Sequence, residues 1–443
     1  MPIDVPCIRH DGDAWIVRGP SGVQGVLTPP ADKSLAHRAI ILASLSAGAC
    51  HVRGLSGAED VGRTLAAMRG LGVRMESVAH GVRVHGVGAN GLRAAPAPLD
   101  CGNSGTTMRL LCGVLAAQPF ASYLAGDASL SRRPMRRLSE PLGAMGARVH
   151  CLGPDGRPPL QVDAVPARLR GVEHRLAVDS AQVRSALLLA GLYADGPTRL
   201  RPAGAARDHL ERLLAALGVH VVRQADALVL EPPRAPWTGF DFEVPGDLSA
   251  AAFFVAWAMQ PGSAGLRVER VGLNPGRRRY LELLQDAGAT LSLFPGTGGL
   301  GEPAGAFEVR GPLRHGLDLC GTDVVRCIDE IPALVASGAV GGVAVRVRDA
   351  AELRVKESDR IAGIVRLLRA FGAEAAEQPD GLWLAPGARL RPAQVSADGD
   401  HRLAMAGAIL AAAASGDSRI DGVGCVRTSY PEFAADFARL ASR

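Results

Sequence analysis

Residues 102–117 read GNSGTTMRLLCGVLAA, a polar cluster that runs directly into a stretch of small apolar residues. Because the apolar stretch has no polar face, it predicts a helix that is buried on all sides. The polar cluster then occupies the first turn, where backbone N–H groups lack partners within the helix. The same pattern occurs at five other places, with starts at Lys33, Ser180, Leu248, Asp329 and His401.

A second kind of helix alternates with the buried one. It is amphipathic, ends near a glycine and is followed by a strand-like run, as in residues 59–73, 133–147 and 274–289. Glycine after the last turn is a normal stop signal for a helix. The starts of the buried helices recur roughly every 70 to 80 residues, which predicts six copies of one unit: strand, buried helix, strand, outer helix and two strands.

Six such units in 443 residues favour an α/β fold with two domains of three units each. We place residues 27–245 in one domain, and residues 1–26 together with 246–443 in the other. The proline-rich stretch 231–247 is the expected crossing. Because the last unit lacks its closing strands, we expect the N-terminal strand before Val26 to return to the second domain.

The composition excludes several classes of function. A net charge of +5 is mild and the aromatic content is only 4%, which argues against a nucleic-acid partner. The eight cysteines are scattered without a Cys-x-x-Cys pair, so we expect reduced thiols and no metal site. The N-terminus has no secretory or transit character, and the uncharged, apolar run of residues 403–416 is too short to cross a bilayer. We therefore expect a soluble cytoplasmic protein without a membrane partner.

Residues 352–361, ELRVKESDRI, carry a dense set of charges at a predicted helix start. On a 3.6-residue period Lys356 and Arg360 project from one face, and Glu357 lies about 100° further round. Two cations and a carboxylate then converge on one small anion, such as a phosphate or a carboxylate. The alternative is a solvated helix with ordinary salt bridges.

If the buried helices of a domain run parallel, their polar starts emerge on one face. Each helix N-terminus carries about half a positive charge, so converging starts attract anions. Two domains facing each other would combine both sets. The mixture of cations, carboxylates and neutral donors predicts a small, multiply anionic substrate and acid–base chemistry. The residues concerned are Lys33, Ser34, His37, Arg38, Asn103, Ser104, Gly105, Thr106, Arg109, Ser180, Gln182, Asp247, Asp329, Glu330, Lys356, Glu357, Arg360, His401 and Arg402.

Several of these residues also have a plainer interpretation. Ser34 fits a simple helix N-cap. His37 and His401 fit packed, hydrogen-bonded histidines better than catalytic ones. At least two of the arginines within residues 132–137 are expected to be solvated, and the arginines of residues 277–279 are expected at the surface.

The polar clusters, in this order and at these intervals, resemble the 5-enolpyruvylshikimate-3-phosphate synthase family from Pro30 to Phe433. The motifs are DKSLAHR (32–38), GNSGTTMR (102–109), GDASLSRRP (126–134), SAQ (180–182), IDE (328–330), LRVKESDR (353–360) and DHR (400–402). The resemblance implies an inside-out α/β barrel of two domains, each with three βαβαββ units around buried parallel helices. It also implies an active site in the cleft between the domains.

The resemblance implies transfer of an enolpyruvyl group from phosphoenolpyruvate to the 5-hydroxyl of shikimate 3-phosphate, on the route to chorismate and the aromatic amino acids. No metal or other cofactor is implied, and the expected state is a monomer. Because both domains supply cations, we expect the domains to close on the substrates.

The family's functional residues match particular positions here. Asp329 matches the proton acceptor, Glu357 matches the carboxyl that protonates the methylene carbon, and Lys33 is the third catalytic residue. The residues matched to shikimate 3-phosphate are Lys33, Ser34, Arg38, Ser180, Gln182, Asp329 and Lys356. Those matched to phosphoenolpyruvate are Lys33, Gly105, Arg133, Gln182, Arg360 and Arg402.

The chain departs from many relatives at two positions. Ala31 follows Pro30 where they have glycine, and Thr428 stands where they carry a lysine. Several motifs are similar to the class II branch, which is often tolerant of glyphosate, yet Gly105 is retained. Sensitivity to that inhibitor stays open.

Two rival functions share some of these features. An enolpyruvyl transferase acting on UDP-N-acetylglucosamine shares the repeat, but its members usually carry a reactive cysteine in the loop that corresponds to residues 126–134, which contain none. A nucleic-acid-binding repeat protein would use the arginines of residues 132–137. Few aromatic residues and interleaved carboxylates argue against it.

Overall fold

A computed structural model describes residues 7–165 and 168–442. Within these ranges the α-helices are α1 (Lys33–Ser44), α2 (Glu59–Gly70), α3 (Gly105–Leu115), α4 (Arg136–Ala144), α5 (Ala181–Gly191), α6 (His209–Ala216), α7 (Leu248–Trp257), α8 (Arg279–Asp286), α9 (Gly321–Cys327), α10 (Ile331–Gly341), α11 (Arg360–Ala370), α12 (His401–Ala413) and α13 (Phe433–Leu440).

The strands of the first part of the chain are β1 (Ile8–His10), β2 (Ala14–Gly19), β3 (Gly22–Leu27), β4 (Ala49–Arg53), β5 (Arg74–Val78), β6 (Gly81–His85), β7 (Leu99–Asp100), β8 (Ser122–Ala125), β9 (Val149–Gly153), β10 (Arg157–Val162), β11 (Glu173–Arg175), β12 (Thr198–Arg201), β13 (Val221–Gln224), β14 (Ala227–Leu230) and β15 (Asp241–Glu243). Those of the second part are β16 (Gly265–Gly272), β17 (Thr290–Pro295), β18 (Ala304–Arg310), β19 (Leu317–Leu319), β20 (Val345–Val347), β21 (Ala375–Gln378), β22 (Gly381–Leu384), β23 (Gln394–Ser396), β24 (Gly416–Asp421) and β25 (Ala441–Ser442).

The described residues fall into two compact units. Unit 1 contains the residues up to Pro30, Gly246–Thr297 and the residues from Pro303 onward, whereas unit 2 contains Ala31–Pro245 and Gly298–Glu302. The first crossing therefore lies at residue 30, where the sequence placed it at 26. The short segment 298–302, between β17 and β18, packs with unit 2, and no periodicity in the sequence distinguishes it from an ordinary turn.

Unit 2 holds three copies of the predicted repeat, each built on a four-stranded sheet. The strand orders are β15-β4-β6-β5, β7-β8-β10-β9 and β11-β12-β14-β13. In each sheet the first pair of strands is parallel and the other pairs are antiparallel. The first copy takes its first strand, β15, from the far end of the unit.

Unit 1 repeats this arrangement, with help from the N-terminal strands. Its strand orders are β17-β18-β16-β3-β25, β19-β20-β22-β21 and β1-β2-β24-β23. Strand β3 pairs parallel to β16, and so it supplies the first strand of the first copy. Strand β2 pairs antiparallel with β24 and with β1, and so β1 and β2 supply the closing strands that the last copy lacks.

The six helices with small apolar residues form the interior of the two units: α1, α3 and α5 in unit 2, and α7, α10 and α12 in unit 1. Every residue of α7 is buried, which confirms the prediction from its lack of a polar face. Small residues let these helices approach closely. A Cβ on Gly113 of α3 would overlap the carbonyl oxygen of Ala186 on α5.

Candidate active site

Side-chain caps begin most of the buried helices. Within the described residues, five of the six have one, in which an oxygen accepts a hydrogen bond from a backbone N–H of the first turn. The pairs are Asp32 with Leu35 (2.9 Å), Ser104 with Thr107 (3.1 Å), Ser180 with Val183 (3.5 Å), Asp247 with Ser249 (2.8 Å) and Asp400 with Arg402 (2.9 Å). The plainer interpretation of Ser34 as the N-cap of α1 is wrong, since Asp32 has that role.

Lys33 lies in the first turn of α1. Its Nζ donates to Oδ2 of Asp60 on α2 at 2.8 Å, and both side chains are largely buried. The pair joins the starts of two helices and restricts the rotamers of the lysine. The amine is thereby fixed near the neighbouring helix starts of unit 2.

A chain of buried polar groups connects α1 to the start of α3. His37 Nδ1 is 2.7 Å from Thr64 Oγ1, which is 2.7 Å from Thr107 Oγ1, and the latter donates to Ser104 Oγ at 2.8 Å. Burial lowers the pKa of His37 well below its ordinary value, and the nearby cations lower it further. His37 is a neutral, packed histidine, in agreement with its plainer interpretation.

Arg38 links α1 to α5. Its Nη1 donates to the carbonyl of Ser34 and its Nη2 donates to Ser185 Oγ, each at 2.8 Å. Burial lowers the pKa of Arg38 to about 10, which leaves the guanidinium charged at neutral pH. Unit 2 therefore keeps a buried cation next to the first turns of two helices.

Gly105 begins α3 with two arginine side chains beside it. A Cβ at this position would lie 2.7 Å from Arg109 Nη1 and 3.1 Å from Arg133 Nη1. Arg133 Nη2 donates to Asn103 Oδ1 at 2.6 Å, and Arg109 Nη1 donates to Gln182 Oε1 at 2.5 Å. Two guanidinium groups at a helix N-terminus form a place suited to a phosphate or a carboxylate.

Gln182 closes this set from the start of α5. Its Nε2 donates to Thr106 Oγ1 at 2.8 Å, so the first turns of α3 and α5 are directly bonded. The residues of this half that the resemblance matched to functional positions thus lie in, or directly beside, the first two turns of three connected helices. They are Lys33, Ser34, Arg38, Gly105, Arg133, Ser180 and Gln182.

Asp329 occupies the middle of a charged cluster at the start of α10 in unit 1. Its Oδ1 lies 3.5 Å from Arg360 Nη1 and 3.7 Å from Lys356 Nζ. Its carbonyl accepts a hydrogen bond from Arg402 Nη1 at 2.7 Å, and Glu357 Oε2 accepts one from Arg360 Nη2 at 2.6 Å. The structure therefore brings together the five residues of this half that the resemblance matched to functional positions.

The environment shifts the pKa values of two cations of the cluster in opposite directions. Burial lowers the pKa of Lys356, as does Arg360, while Asp329 and Glu357 raise it without cancelling the shift. Burial also lowers the pKa of Arg360, but the carboxylates of Asp400, Glu357 and Asp329 outweigh it and leave that pKa above its ordinary value. Lys356 is thus the cation of this pair that is closer to giving up its proton.

Asp400 is a residue that the sequence did not include in the site, although it begins the DHR motif. Its carboxylate accepts from Arg360 Nε at 2.7 Å and Nη2 at 3.2 Å, and from Ser358 Oγ at 3.1 Å. It also caps α12 through the backbone of Arg402. The motif identified a helix start, whereas the pairing with Arg360 depends on the packing of α11 against α12.

The prediction of a surface position for Arg277 is wrong. Only 2% of this residue is exposed, and its Nη2 donates to Asp247 Oδ1 at 2.8 Å and also to Ser249 Oγ. Its neighbours Arg278 and Arg279 are partly exposed, as expected. Within residues 132–137, Arg132 and Arg136 are exposed, which confirms that at least two of those arginines are solvated.

A further signal lay in the composition. Of the 49 basic residues, Lys33 and Lys356 are the only two lysines, and both lie in the predicted site. Arginine replaces lysine everywhere else, so these two positions have a reason to keep a compact, titratable ammonium group. Counting lysines alone would have selected them.

Several sequence expectations concern groups outside these clusters. Among the described residues no group of three or more His, Cys, Asp or Glu is placed to hold a metal ion, and no helix there has the length and apolar character needed to span a bilayer. The eight cysteines, all within the described ranges, form no disulfide there. The hydroxyl of Thr428 donates to the carbonyl of Cys425 at 2.8 Å.

Solved structures share this fold. The EPSP synthase of Acinetobacter baumannii matches with a TM-score of 0.82 at 37% identity, over 97% of this chain and 99% of that one. The enolpyruvyl transferase NikO of Streptomyces tendae matches with a TM-score of 0.74 at 16% identity, over 97% of this chain and 98% of that one. The predicted two-domain α/β fold is confirmed, and it is the fold of the enolpyruvyl transferases.

Sequence relatives show to which family of enolpyruvyl transferases the chain is similar. The family model described as EPSP synthase (3-phosphoshikimate 1-carboxyvinyltransferase) matches residues 17–437. The 3-phosphoshikimate 1-carboxyvinyltransferase of Acidithiobacillus ferrooxidans is 45% identical, over 95% of this chain and 96% of that protein. That of Geobacter metallireducens is 40% identical, over 97% of this chain and 100% of that protein.

The chain belongs to the EPSP synthase family. The predicted family is therefore confirmed, and the chain is an enzyme of the transferase class that serves the shikimate pathway. The rival assignment to a transferase acting on UDP-N-acetylglucosamine has less support from these relatives.

Proposed function

We propose that this chain transfers the 1-carboxyvinyl group of phosphoenolpyruvate to the 5-hydroxyl of 3-phosphoshikimate and releases inorganic phosphate. The observation that carries the proposal is the cluster around Asp329, where a carboxylate oxygen lies within 3.7 Å of both Lys356 and Arg360. An attacking hydroxyl must lose its proton beside an anionic partner. The carboxylate can accept that proton, and the cations beside it can bind the anionic partner.

The residues of unit 2 supply most of the contacts to 3-phosphoshikimate in this proposal. The phosphate binds at the starts of α1 and α5, where N–H groups and the cations Lys33 and Arg38 favour negative charge. Ser34, Ser180 and Gln182 add neutral donors. From unit 1, Lys356 and Asp329 contact the ring hydroxyls.

Phosphoenolpyruvate carries a carboxylate and a phosphate, and the proposal assigns guanidinium groups to both. Arg133 lies beside the backbone of Gly105, while Arg360 contacts the carboxylate of Asp329 and Arg402 contacts its carbonyl. Planar guanidinium groups bind such oxyanions through paired hydrogen bonds. Lys33 and Gln182 complete the set.

Two pairs of proton transfers accomplish the chemistry. Glu357 gives a proton to C3 of phosphoenolpyruvate as Asp329 takes the proton of the 5-hydroxyl, whose oxygen bonds to C2 and forms a tetrahedral intermediate. Glu357, now a carboxylate, then takes a proton from the new methyl group, the double bond re-forms and the C2–O bond to phosphate breaks, while the proton on Asp329 passes to the departing phosphate. Lys33 stabilises the negative charge that develops on the departing phosphate. The atoms balance without a metal or redox cofactor.

The proposal includes the wider setting. The enzyme acts on these two small molecules as a monomer in the cytoplasm, with no nucleic-acid or membrane partner. The mild net charge of +5 and the low aromatic content support the absence of a nucleic-acid partner.

Phosphate release tests the reaction. Purified protein given phosphoenolpyruvate and 3-phosphoshikimate together should release phosphate, and each compound alone should give none. UDP-N-acetylglucosamine in place of 3-phosphoshikimate is the control for the rival activity. Phosphate release only with the nucleotide sugar would overturn the proposal.

Substitution tests the role of Asp329. Asp329→Asn keeps the size of the side chain and removes the proton acceptor, so kcat should fall by about 1,000-fold or more with the fold intact. The matched control is Asp323→Asn, which removes a carboxylate of the same unit that is paired with Arg279. Equal and mild effects of the two changes would exclude Asp329 as the base.

A further inference from the structure

Glu330 follows Asp329 in the chain, but its side chain belongs to a separate buried cluster. Ser249 Oγ at the start of α7 donates to Glu330 Oε1, and Arg277 Nη2 donates to the same serine oxygen. Arg277 Nη2 also lies 3.8 Å from Glu330 Oε1 and 2.8 Å from Asp247 Oδ1. With 1% of Glu330 and 2% of Arg277 exposed, the cluster ties the first turn of α10 to that of α7 inside unit 1.

The start of α10 needs such a tie. It is the one buried helix, among the six in the described ranges, whose first turn has no side-chain cap. The other five starts are fixed locally by an aspartate or serine oxygen. At α10 the residue in the cap position is Glu330, and its carboxylate bonds to a neighbouring helix instead of its own backbone.

The position of Asp329 follows from this contact. The two consecutive carboxylates face different surroundings, since Asp329 contacts Lys356 and Arg360 whereas Glu330 contacts Ser249. Arg402 holds the carbonyl of Asp329 at 2.7 Å on one side, and the cluster with Ser249 holds the next residue on the other. If Glu330 is released, the segment can turn and carry the Asp329 carboxylate away from its cations.

We propose that Glu330 is a positioning residue, which fixes the first turn of α10 against Ser249 and thereby holds Asp329 where it accepts the substrate proton. The inference rests on the proposed function of Asp329. Glu330 itself touches neither substrate. A displacement of about 1 Å in a catalytic group is enough to lower a rate by about 100-fold.

Steady-state kinetics of two Glu330 variants test the inference. Glu330→Ala removes the tie, and kcat should fall by about 100-fold while KM for either substrate changes by less than about threefold. Glu330→Gln keeps an oxygen that accepts from Ser249, so its kcat should stay within about fivefold of the unchanged enzyme. Glu282→Ala, which removes a partly exposed carboxylate paired with Arg278, is the matched control and should leave kcat unchanged.

A double-mutant cycle shows whether Glu330 acts through Asp329. Glu330→Ala is measured in the natural background and in the Asp329→Asn background, where the residue through which it acts is already lost. No further decrease of the residual rate in the second background supports the inference. The inference would be overturned if Glu330→Ala lowers kcat by the same factor in both backgrounds. It would also be overturned if Glu330→Ala changes KM without changing kcat, or if Glu330→Ala and Glu330→Gln lower kcat equally. An Asp329→Asn enzyme with the natural kcat would instead refute the proposed role of Asp329 as the proton acceptor.

A second variant keeps the test decisive if Glu330→Ala does not fold. Ser249→Ala removes only the hydroxyl that links Glu330 with Arg277, and both charged groups stay in place. Ser249→Ala should lower kcat by about tenfold, and its thermal unfolding temperature should stay close to that of the natural enzyme. An unchanged kcat in the folded Ser249→Ala enzyme would contradict the positioning role.

Discussion

Arg360 and Asp400 form a buried ion pair in unit 1. Nε of the arginine lies 2.7 Å from Oδ2 of the aspartate, and the side chains are 1% and 0% exposed. The same guanidinium reaches Glu357 at 2.6 Å and Asp329 at 3.5 Å, so one cation orders three carboxylates. Asp400 also caps α12, and its removal disturbs a helix start and the cluster together.

Asp400→Asn is therefore expected to affect both activity and stability. Loss of the charge leaves Arg360 buried with weaker compensation, and breaking such a pair destabilises a protein by about 3–5 kcal/mol. Because Arg360 is assigned to phosphoenolpyruvate, KM for this substrate should rise by about tenfold or more. Denaturant unfolding and initial-rate kinetics measure the two effects.

The control for this change lies two residues away. Asp398 pairs with Arg366, and both side chains are about half exposed. Exposed ion pairs contribute about 0–1 kcal/mol, so Asp398→Asn should leave stability and KM nearly unchanged. Equal losses in the two variants would mean that the burial of the Arg360 pair has no special importance.

The repeat could be predicted from sequence because each buried helix is a run of small apolar residues that follows a polar cluster. Residues 248–257 have no polar face, and this alone requires burial. The polar residues at the starts of these helices then had to lie near one another within each unit. Part of the predicted site, such as Lys33, Gln182 and Arg402, follows from that geometry, whereas Arg133 was assigned only through the resemblance to the family.

The pairings within the sets could not be predicted in the same way. Lys33 with Asp60 and Arg360 with Asp400 each join two different helices, so the partner depends on which helices become neighbours. Burial also changes between consecutive residues at the start of α8. Arg277 turns inward to Asp247 while the next two arginines stay partly exposed, and the triple-arginine pattern gives no sign of that difference.

Two glycines of α3 should separate function from folding. At Gly105 an added Cβ meets the flexible ends of Arg109 and Arg133, so Gly105→Ala should displace a guanidinium group and raise KM for phosphoenolpyruvate by about threefold to tenfold at nearly unchanged stability. At Gly113 an added Cβ meets the backbone of Ala186, which cannot move aside cheaply. Gly113→Ala should lower the unfolding free energy by about 1–3 kcal/mol. Thermal unfolding and kinetics of both variants check the contrast, which the reverse pattern would contradict.

Lys356 should lose its proton at a lower pH than an ordinary lysine, because burial disfavours its charged form. As the chain has two lysines, reductive methylation with carbon-13 gives two side-chain NMR signals, and Lys356→Arg assigns them. The Lys356 signal should titrate below the ordinary value of 10.5. Asp329→Asn removes a carboxylate that raises this pKa, so titration should move to still lower pH. A shift to higher pH in that variant would contradict the described contact.

His37 should make the enzyme less stable in mild acid. Its pKa in the folded protein is well below 6.5, so below that pH the unfolded chain binds a proton that the folded chain does not. The unfolding free energy is then unaffected by His37 above about pH 6.5 and falls by up to about 1.4 kcal/mol for each unit of pH below it. In denaturant titrations at about pH 7.5 and pH 5.5, His37→Gln should reduce the difference between the two values by about 1 kcal/mol. The exposed His220→Gln variant serves as the matched control, and an equal reduction there would show that the buried position of His37 is not the cause.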